Sequence, residues 1–567
     1  MIDSSHILFM VAAASLCYGL IHLLQFLYHE LTYPLVGGPR NPSWIFGNVK
    51  ELGGETGLTK RWQGEFGPIY LFRGLFSRRR LYVADAKALS YIVANDSRFV
   101  RVPVAVTFRA CLVGEGLLTV VGDDHKRQAR TLFCTTYTFH SDVIVPSRDE
   151  FLYNHAFGAP QIRYLTEIFV QKAVQLRDMW AAELAGGNRS ATPGRMDIYD
   201  GIRRMTLDVI GQAGGFGFNH DFHALADTGT SNVLTESLTN LLHSPDARRN
   251  LMFLELQMLI PALKYLPLPG QKALAAAHAA MCSVADEILS ESKSAIMAVG
   301  EGGKSFDSSK RDLLSILLKA NMSTSVSAHQ RLSDAELIAQ IPTFVSAGHE
   351  TTSNATAWAL HSLSLHPATQ RKLREELFTI SSDNLTMDKL NSLPYLECVV
   401  RETLRFHGPV AFMERMATQD DVLPLSRPYI DTAGKSHDTL PIRKGQVIHI
   451  PILAFNHDKD IWGPDAGEFR PARWENVPSG AGAIPGMPHP NLFSFFAGQT
   501  NCIGYRFSLV EIKALLFTLI RAFEFEPAVP SSRIDHGVAL IRTPIYLDDR
   551  ERGTSLPMIL KPVNKQY

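Results

Sequence analysis

Apolar and polar positions follow three regimes along this chain. Ile7–Leu27, "ILFMVAAASLCYGLIHLLQFL", runs 21 residues without a formal charge, the titratable His22 aside. About 20 apolar residues suffice to cross a bilayer as a helix, so the pattern predicts one membrane-spanning helix. From about Arg163 to Ser364 most apolar positions recur at helical spacing. Ser333-Asp-Ala-Glu336 is a capping box, and the helix it starts continues to His366, where Pro367 stops it. About 33 residues at ~1.5 Å each make that helix ~50 Å long, enough to cross a whole domain. At the edges the period changes. Ile69–Ala84, "IYLFRGLFSRRRLYVA", predicts a hairpin around a basic turn. Val538–Val563, rich in β-branched residues and Pro, predicts short strands. The pattern defines a mainly α fold with small β-sheets.

Four stretches stand outside these regimes. Gly186–Gly194 and Val299–Lys310 read as surface loops. Asn250–Pro269, "NLMFLELQMLIPALKYLPLP", supports two readings: a core helix, or a helix–loop dipping into a membrane surface. Thr131–Tyr153 has no clean period and interrupts a helical pattern that resumes at "NHAFG".

Composition narrows the class. With 567 residues, 46% of them hydrophobic, the chain can bury a large core. Its 56 basic and 56 acidic residues cancel, so nucleic acid is not the expected partner. Six scattered cysteines without a C-x-x-C pair fit neither a disulfide framework nor a zinc knuckle. Asp3 and the lack of Lys or Arg before the apolar span favour an uncleaved anchor over a cleaved signal peptide. Arg40, Lys50, Lys60 and Arg61 follow the span, which places the rest of the chain in the cytosol and leaves the five N-glycosylation sequons unused. Tyr33–Asn48, with three prolines and three glycines, reads as a stiff hinge. The expected layout is an anchor over 1–30, a proline-rich hinge over 31–48 and a catalytic domain over 49–567.

Candidate chemistry comes from three places. The long helix carries Ala347-Gly348-His349-Glu350-Thr351-Thr352 at its middle. Glycine there costs roughly 1 kcal/mol against alanine. Small residues beside an acid and a hydroxyl suggest a dent with a proton route; a helix–helix crossing with Glu350 solvated is the competing reading. Glu402 and Arg405 lie at i and i+3 in "LPYLECVVRETLRFHGP", a segment with little polar face. That pair is either a weak surface pair or a buried one that needs a further partner, which Arg473 in "FRPARW" offers. Cys502 stands alone in "FSFFAGQTNCIGYRFSLVEIKALL", just before a helix whose N-terminus favours a thiolate.

In this order the pieces resemble the cytochrome P-450 superfamily of haem-thiolate monooxygenases, and the wording "CIGYRFSLVEIKALL" and "FNHDKDIWGPD" looks like fungal microsomal members. Ala347–Thr352 matches the family's A-G-x-E-T-T motif, and Glu402 with Arg405 its E-x-x-R motif, Arg473 being the third member. Phe495, Gly498, Cys502 and Gly504 match its haem signature, F-x-x-G-x-R-x-C-x-G. The resemblance implies haem b with Cys502 as axial thiolate, which favours O–O cleavage. It implies Thr351 facing bound oxygen, Glu350 relaying protons, and Ala347 and Gly348 lining the oxygen groove. It also implies a cytochrome P-450 fold preceded by one transmembrane helix in the endoplasmic reticulum membrane. Electrons would come from NADPH through a separate reductase that docks on the cysteine side, near Arg506 and Lys513. The substrate would be a lipophilic small molecule, lined by Phe344, Val410–Phe412 and Leu556–Leu560. A fungal secondary metabolite, a terpenoid or steroid, and an aromatic xenobiotic all fit.

The sequence also departs from the pattern. Thr500 stands where the signature has its propionate-binding arginine. In "GDDHKRQAR", His125 and Ala129 stand where the family has W-x-x-x-R. Arg415, another propionate-contacting position, is retained, and His125, Lys126 and Arg130 are candidate substitutes. Weaker haem retention is therefore expected. Roughly 22 residues over 131–153 lack a counterpart and read as a translated intron or gene-model error, or as a surface loop. The alternatives to a reductase-dependent monooxygenase are an impaired haem-protein homologue and a reductase-independent isomerase or peroxygenase, which intact Glu350 and Thr351 disfavour.

Overall fold

The computed structural model describes residues 36–54, 57–133, 157–186, 193–212, 222–226, 271–301, 331–382, 385–537 and 541–563, with a few isolated positions besides. Most of the apolar span over 7–27, most of 131–153 and most of 250–269 lie outside them. Among the described residues no helix is long and apolar enough to cross a membrane. The chain divides into two compact units, one of residues 1–100 with 414–451, the other of 101–413 with 452–567.

The first unit is built on a five-stranded sheet. Strands β1 (Ile69–Arg73) and β2 (Arg79–Val83) pair antiparallel, the hairpin predicted from the apolar pattern. Buried Tyr70 and Tyr82 face each other in the register and stack at 4.2 Å, a cross-strand aromatic pair of the kind that pins a sheet. Counting β3 (Phe99–Arg101), β5 (Met413–Ala417) and β8 (Val447–Ile450), the strand order is β1-β2-β8-β5-β3. Strands β6 (Asp421–Ile430) and β7 (Ser436–Ile442) form a separate antiparallel ribbon. A short helical turn over Val49–Gly54 and helices α1 (Leu58–Phe66) and α2 (Ala86–Ala94) also belong to the unit; Asp85 caps α2 by accepting from Lys87 and Ala88 N–H groups.

The second unit is mainly helical: α3 (Pro103–Val113), α4 (Gly122–Phe133), α5 (Ala159–Ala185), α6 (Ile198–Gln212), α7 (Gln271–Glu301), α8 (Asp334–Leu365), α9 (Pro367–Phe378), α10 (Pro394–Phe406), α11 (Ile452–Asn456) and α12 (Tyr505–Ala522). Helix α8 starts on the predicted capping box. Ser333 Oγ accepts from Glu336 N–H at 3.2 Å, and Glu336 Oε2 accepts from Ser333 N–H at 2.8 Å. It ends at Leu365, before Pro367. Pro342 lies inside it and removes one backbone donor, a defect of about 3 kcal/mol in an isolated helix. Burial on every side keeps α8 intact through it: Gln340, Ile341, Thr343 and Phe344 are all buried. Residues 299–301 continue α7 rather than opening a loop there.

One apolar core runs through this unit, with α8 and α12 in its middle. A small sheet of order β4-β12-β9, from Arg195–Asp197, Pro557–Pro562 and Phe523–Pro527, closes one side, and β10 (Ile534–His536) pairs with β11 (Pro544–Tyr546). This corrects the expectation that Leu556–Leu560 line a pocket. β12 is the central strand of its sheet, and Leu556, Met558 and Leu560 are buried in the core.

Candidate active site

Helix α8 is enclosed along most of its length. Between Ile341 and Ser364 every residue is buried except Ser346, Ala347, Gly348 and Thr351. Residues three and four apart share a helix face, so Ala347 and Thr351 form an open window in an otherwise dry helix. Thr351 Oγ1 donates back to Ala347 O at 2.8 Å. That hydrogen bond turns the hydroxyl along its own helix and leaves its lone pairs outward.

Glu350 does not face solvent. It is 1% exposed, with Oε1 3.1 Å from His349 Nε2. Its charge helps to push the buried Tyr199 hydroxyl above the ordinary phenol range, although burial itself is the larger cause. The crossing reading, in which Glu350 is solvated, therefore fails for Glu350 and holds for Gly348. A Cβ at Gly348 would come within 2.8 Å of Ile210 Cδ1, on α6. Glycine is there because two helices meet, and the open face belongs to Ala347 and Thr351. Gly348→Ala is expected to cost about 1–3 kcal/mol through overpacking. In an Ile210→Ala background the same substitution becomes neutral or stabilising, as a double-mutant cycle by thermal unfolding would read.

Glu402, Arg405 and Arg473 come together with no exposed surface on the first two. Glu402 accepts from Arg405 Nε and Nη2, both at 2.8 Å, from Arg473 Nε at 3.2 Å, from Trp474 Nε1 at 3.0 Å and from Arg470 N–H at 2.8 Å. Arg405 Nη1 reaches the carbonyls of Asn456 at 2.7 Å and Ala466 at 2.8 Å. Arg473 also pairs with Asp465, at 3.0 Å. The buried part sets Arg405 and Arg473 against Glu402 and Asp465, and exposed Arg470 adds a third guanidinium on Asp465 at 2.8 Å; pairing of this kind is the condition under which buried charge is tolerated. It acts at a distance along the chain. Asn456 Nδ2 donates to Ser494 Oγ at 2.8 Å, and Ser494 Oγ donates to Leu404 O at 2.6 Å. Ser494 directly precedes Phe495, whose carbonyl accepts from Cys502 N–H at 2.9 Å.

The Cys502 loop is thus tied at its base and open at its tip. Gly498 holds φ +71, and its N–H donates to Gly486 O at 3.1 Å; the left-handed backbone explains glycine there. Gly504 differs from expectation. Its φ is −84, and a Cβ on it would meet only Phe157 Cε1, at 3.9 Å, so neither the backbone nor a protein neighbour demands glycine. Phe495 is buried and packs on Tyr505, ring centroids 6.0 Å apart.

Cys502 is a free thiol that solvent reaches on one side. Burial of its other flanks pushes it up to about 11, and the Gly504 N–H opposes only in part. The helix terminus alone does not make a thiolate here; coordination to a metal, which deprotonates a thiol outright, would. An open thiol on a glycine-turned loop fits an axial haem ligand.

The cationic positions are less alike. Arg415 is buried in β5, its Nη1 donating to Glu414 O at 3.0 Å. His125 is buried on α4, with Nε2 3.4 Å from Arg101 Nη2. Arg101, which the sequence reading passed over, also donates to the carbonyls of Leu117, Leu118 and Val120 at 3.1–3.2 Å. The side chains of Lys126 and Arg130 lie outside the described set. Lys513 is no docking residue. It is buried, with Nζ 2.6 Å from Glu397 Oε2 and 2.7 Å from Asn391 Oδ1. Arg506 is exposed beside the loop, over the Tyr505 ring.

A long enclosed helix with one open window, an ion cluster that braces a cysteine loop, and a free thiol at the loop's tip define a haem-thiolate enzyme of the P-450 type. The family model described as Cytochrome P450 matches residues 36–548. Cytochrome P450 monooxygenase 205 of Postia placenta is 39% identical over 99% of both chains. Cytochrome P450 monooxygenase 128 of the same fungus is 41% identical over 94% of this chain and 93% of its own. Cytochrome P450 monooxygenase claU of Ampulloclitocybe clavipes is 29% identical over 93% of this chain and 92% of its own. The chain belongs to the cytochrome P-450 family. It is an oxidoreductase of the monooxygenase class, and the family's cofactor is haem held by a cysteine thiolate.

Proposed function

We propose that this chain oxidises a lipophilic small molecule with O2, using electrons passed from NADPH by a separate membrane-bound cytochrome P-450 reductase. The observation that carries this reading is the window of Ala347 and Thr351 in the middle of buried α8. A hydroxyl exposed at mid-length of an enclosed apolar helix fits the wall of a ligand pocket, and apolar walls select apolar ligands. Phe344 and Val410–Phe412 remain the pocket-lining candidates.

Cys502 holds the haem, with Phe495, Gly498 and Gly504 shaping its loop. Arg415 and His125 serve the propionates, Arg101 lending its charge beside His125. When bound, the haem supplies the oxygen chemistry. The chain's own contribution is to exclude water through the α8 core, to offer the Thr351 hydroxyl and to move a proton by way of Glu350. Glu402, Arg405 and Arg473 hold the segments that support the Cys502 loop.

Residues 1–30 anchor the chain in the endoplasmic reticulum membrane, residues 31–48 set the hinge and residues 49–567 form the cytosolic catalytic domain. Segment 131–153 is intron sequence carried into the reading frame by a gene-model error; a spliced message that encodes it overturns that assignment.

Two measurements test the reading. In the first, the full chain is expressed with a reductase and screened against terpenoids, steroids and polycyclic aromatics. NADPH-dependent product supports it, whereas turnover with peroxide alone identifies the reductase-independent alternative. The second concerns Thr500. With Thr500→Arg the haem content per protein is expected to rise, because a charge-assisted hydrogen bond to a propionate is worth roughly 1.5–3 kcal/mol. Equal occupancy in parent and variant overturns this account of Thr500.

A further inference from the structure

We propose that His349 and Glu350 together store one transferable proton beside Thr351, which makes His349 a positioning residue for proton delivery. This rests on the reading that Glu350 relays protons.

The argument starts from the imidazole. His349 is 3% exposed, and its Nδ1 lies 2.6 Å from Val345 O, one turn back on α8. A carbonyl oxygen only accepts, so Nδ1 carries the hydrogen. In a neutral ring Nε2 is then a bare lone pair. That lone pair lies 3.1 Å from Glu350 Oε1, inside the core. A lone pair and a carboxylate at that distance repel, and the repulsion is strong where water is excluded. One proton shared between Nε2 and Oε1 turns the contact attractive. Imidazolium with carboxylate and imidazole with carboxylic acid are two drawings of the same proton count.

The main chain beside the ring is held by α6, where Thr206 Oγ1 donates to His349 O at 3.2 Å. Turning the ring would cost Nδ1 its bond to Val345 O, the carbonyl that also accepts the helical N–H of His349. Tyr199 faces Glu350 from α6, and Arg203 beside Tyr199 is itself paired with Asp200 at 3.4 Å. From α12 comes Glu511, a fully buried carboxyl beside Thr352 that burial pushes well above the ordinary range, with Thr352 opposing. Among these groups Arg203 is the one cation.

The consequence is a preloaded donor. When the pair gives its proton to Thr351 Oγ1, the hydroxyl releases the hydrogen it had donated to Ala347 O on its open side, and the pair is left as neutral imidazole and carboxylate, one unit more negative. A proton from solvent restores it. A buried carboxylate without His349 has to collect each proton from solvent first.

The proton count is measured on the haem-loaded full chain by infrared difference spectroscopy during a pH titration. The expected result is a single proton bound at neutral pH and released on alkalinisation, lost in both His349→Gln and Glu350→Gln. His349→Asn replaces the glutamine variant if that one fails to load haem. An ionised Glu350 beside a neutral imidazole at neutral pH overturns the proposal. A second arm uses NADPH, reductase and no added substrate, and reads the share of consumed O2 that leaves as hydrogen peroxide. His349→Gln keeps an N–H donor to the carboxylate but has no proton to give, so that share is expected to rise several-fold, with a larger solvent isotope effect. If Glu350→Gln raises the share and His349→Gln does not, the stored proton is wrong and the relay reading stands. If Glu350→Gln leaves it unchanged, the relay reading itself falls.

Discussion

Cys502→Ser is expected to abolish the thiolate Soret band of the reduced, carbon monoxide-bound protein and to bring NADPH-dependent oxidation to the level of an enzyme-free control. The serine hydroxyl is a far weaker acid than a thiol and cannot supply the electron push that favours O–O cleavage. The fold should hardly notice. Cys502 is exposed, and the hydrogen bond that closes its loop, to Phe495 O, comes from its main-chain N–H, which serine retains. Thermal unfolding of the haem-free protein should move by less than about 1 kcal/mol, as for most exposed substitutions. A variant that keeps the thiolate band would reassign the axial ligand.

Arg405→Ala is expected to do the reverse and cost the fold itself. It leaves Glu402 fully buried with two of its five donors removed, and takes the Arg405 donors from the carbonyls of Asn456, Ala466 and Glu468. Breaking one partner out of a buried pair typically costs about 3–5 kcal/mol, a large part of a domain's whole stability. Arg405→Lys should rescue little, because an ammonium cannot make the bidentate contact to Glu402 while reaching three carbonyls. Haem loading should fall alongside stability through Asn456, which connects Arg405 to Ser494, the residue before Phe495. Chemical denaturation and haem content, measured on the same preparations, check both. Unchanged stability would mean that the cluster is solvated in solution.

The two sites differ in how they were legible. Cys502 was readable because a thiol among glycines before a helix is a local pattern. The α8 helix was readable because capping boxes and proline stops are local as well. Gly348 was half readable. A small residue in mid-helix announces a close approach but not what approaches, and Ile210 lies 138 residues away in the chain. Arg101, Asn456 and Ser494 were invisible for the same reason: each matters through a partner distant in sequence. Lys513 and Leu556–Leu560 were misjudged because a lysine looks exposed and an apolar run looks like a lining until their neighbours are known. Burial by Glu397 and Asn391, and central placement in a three-stranded sheet, decided otherwise.

The sequence by itself determined the fold class, the order of the motifs and the residue types able to hold haem, because period, caps and short motifs are written in neighbouring positions. Tertiary structure decided which of those residues are buried, which are open and which are charged in practice. It buried Glu350 beside His349, left Ala347 and Thr351 uncovered and pushed Cys502 toward the thiol. Those outcomes depend on dielectric surroundings and on contacts between distant segments, and these exist only once the chain has folded.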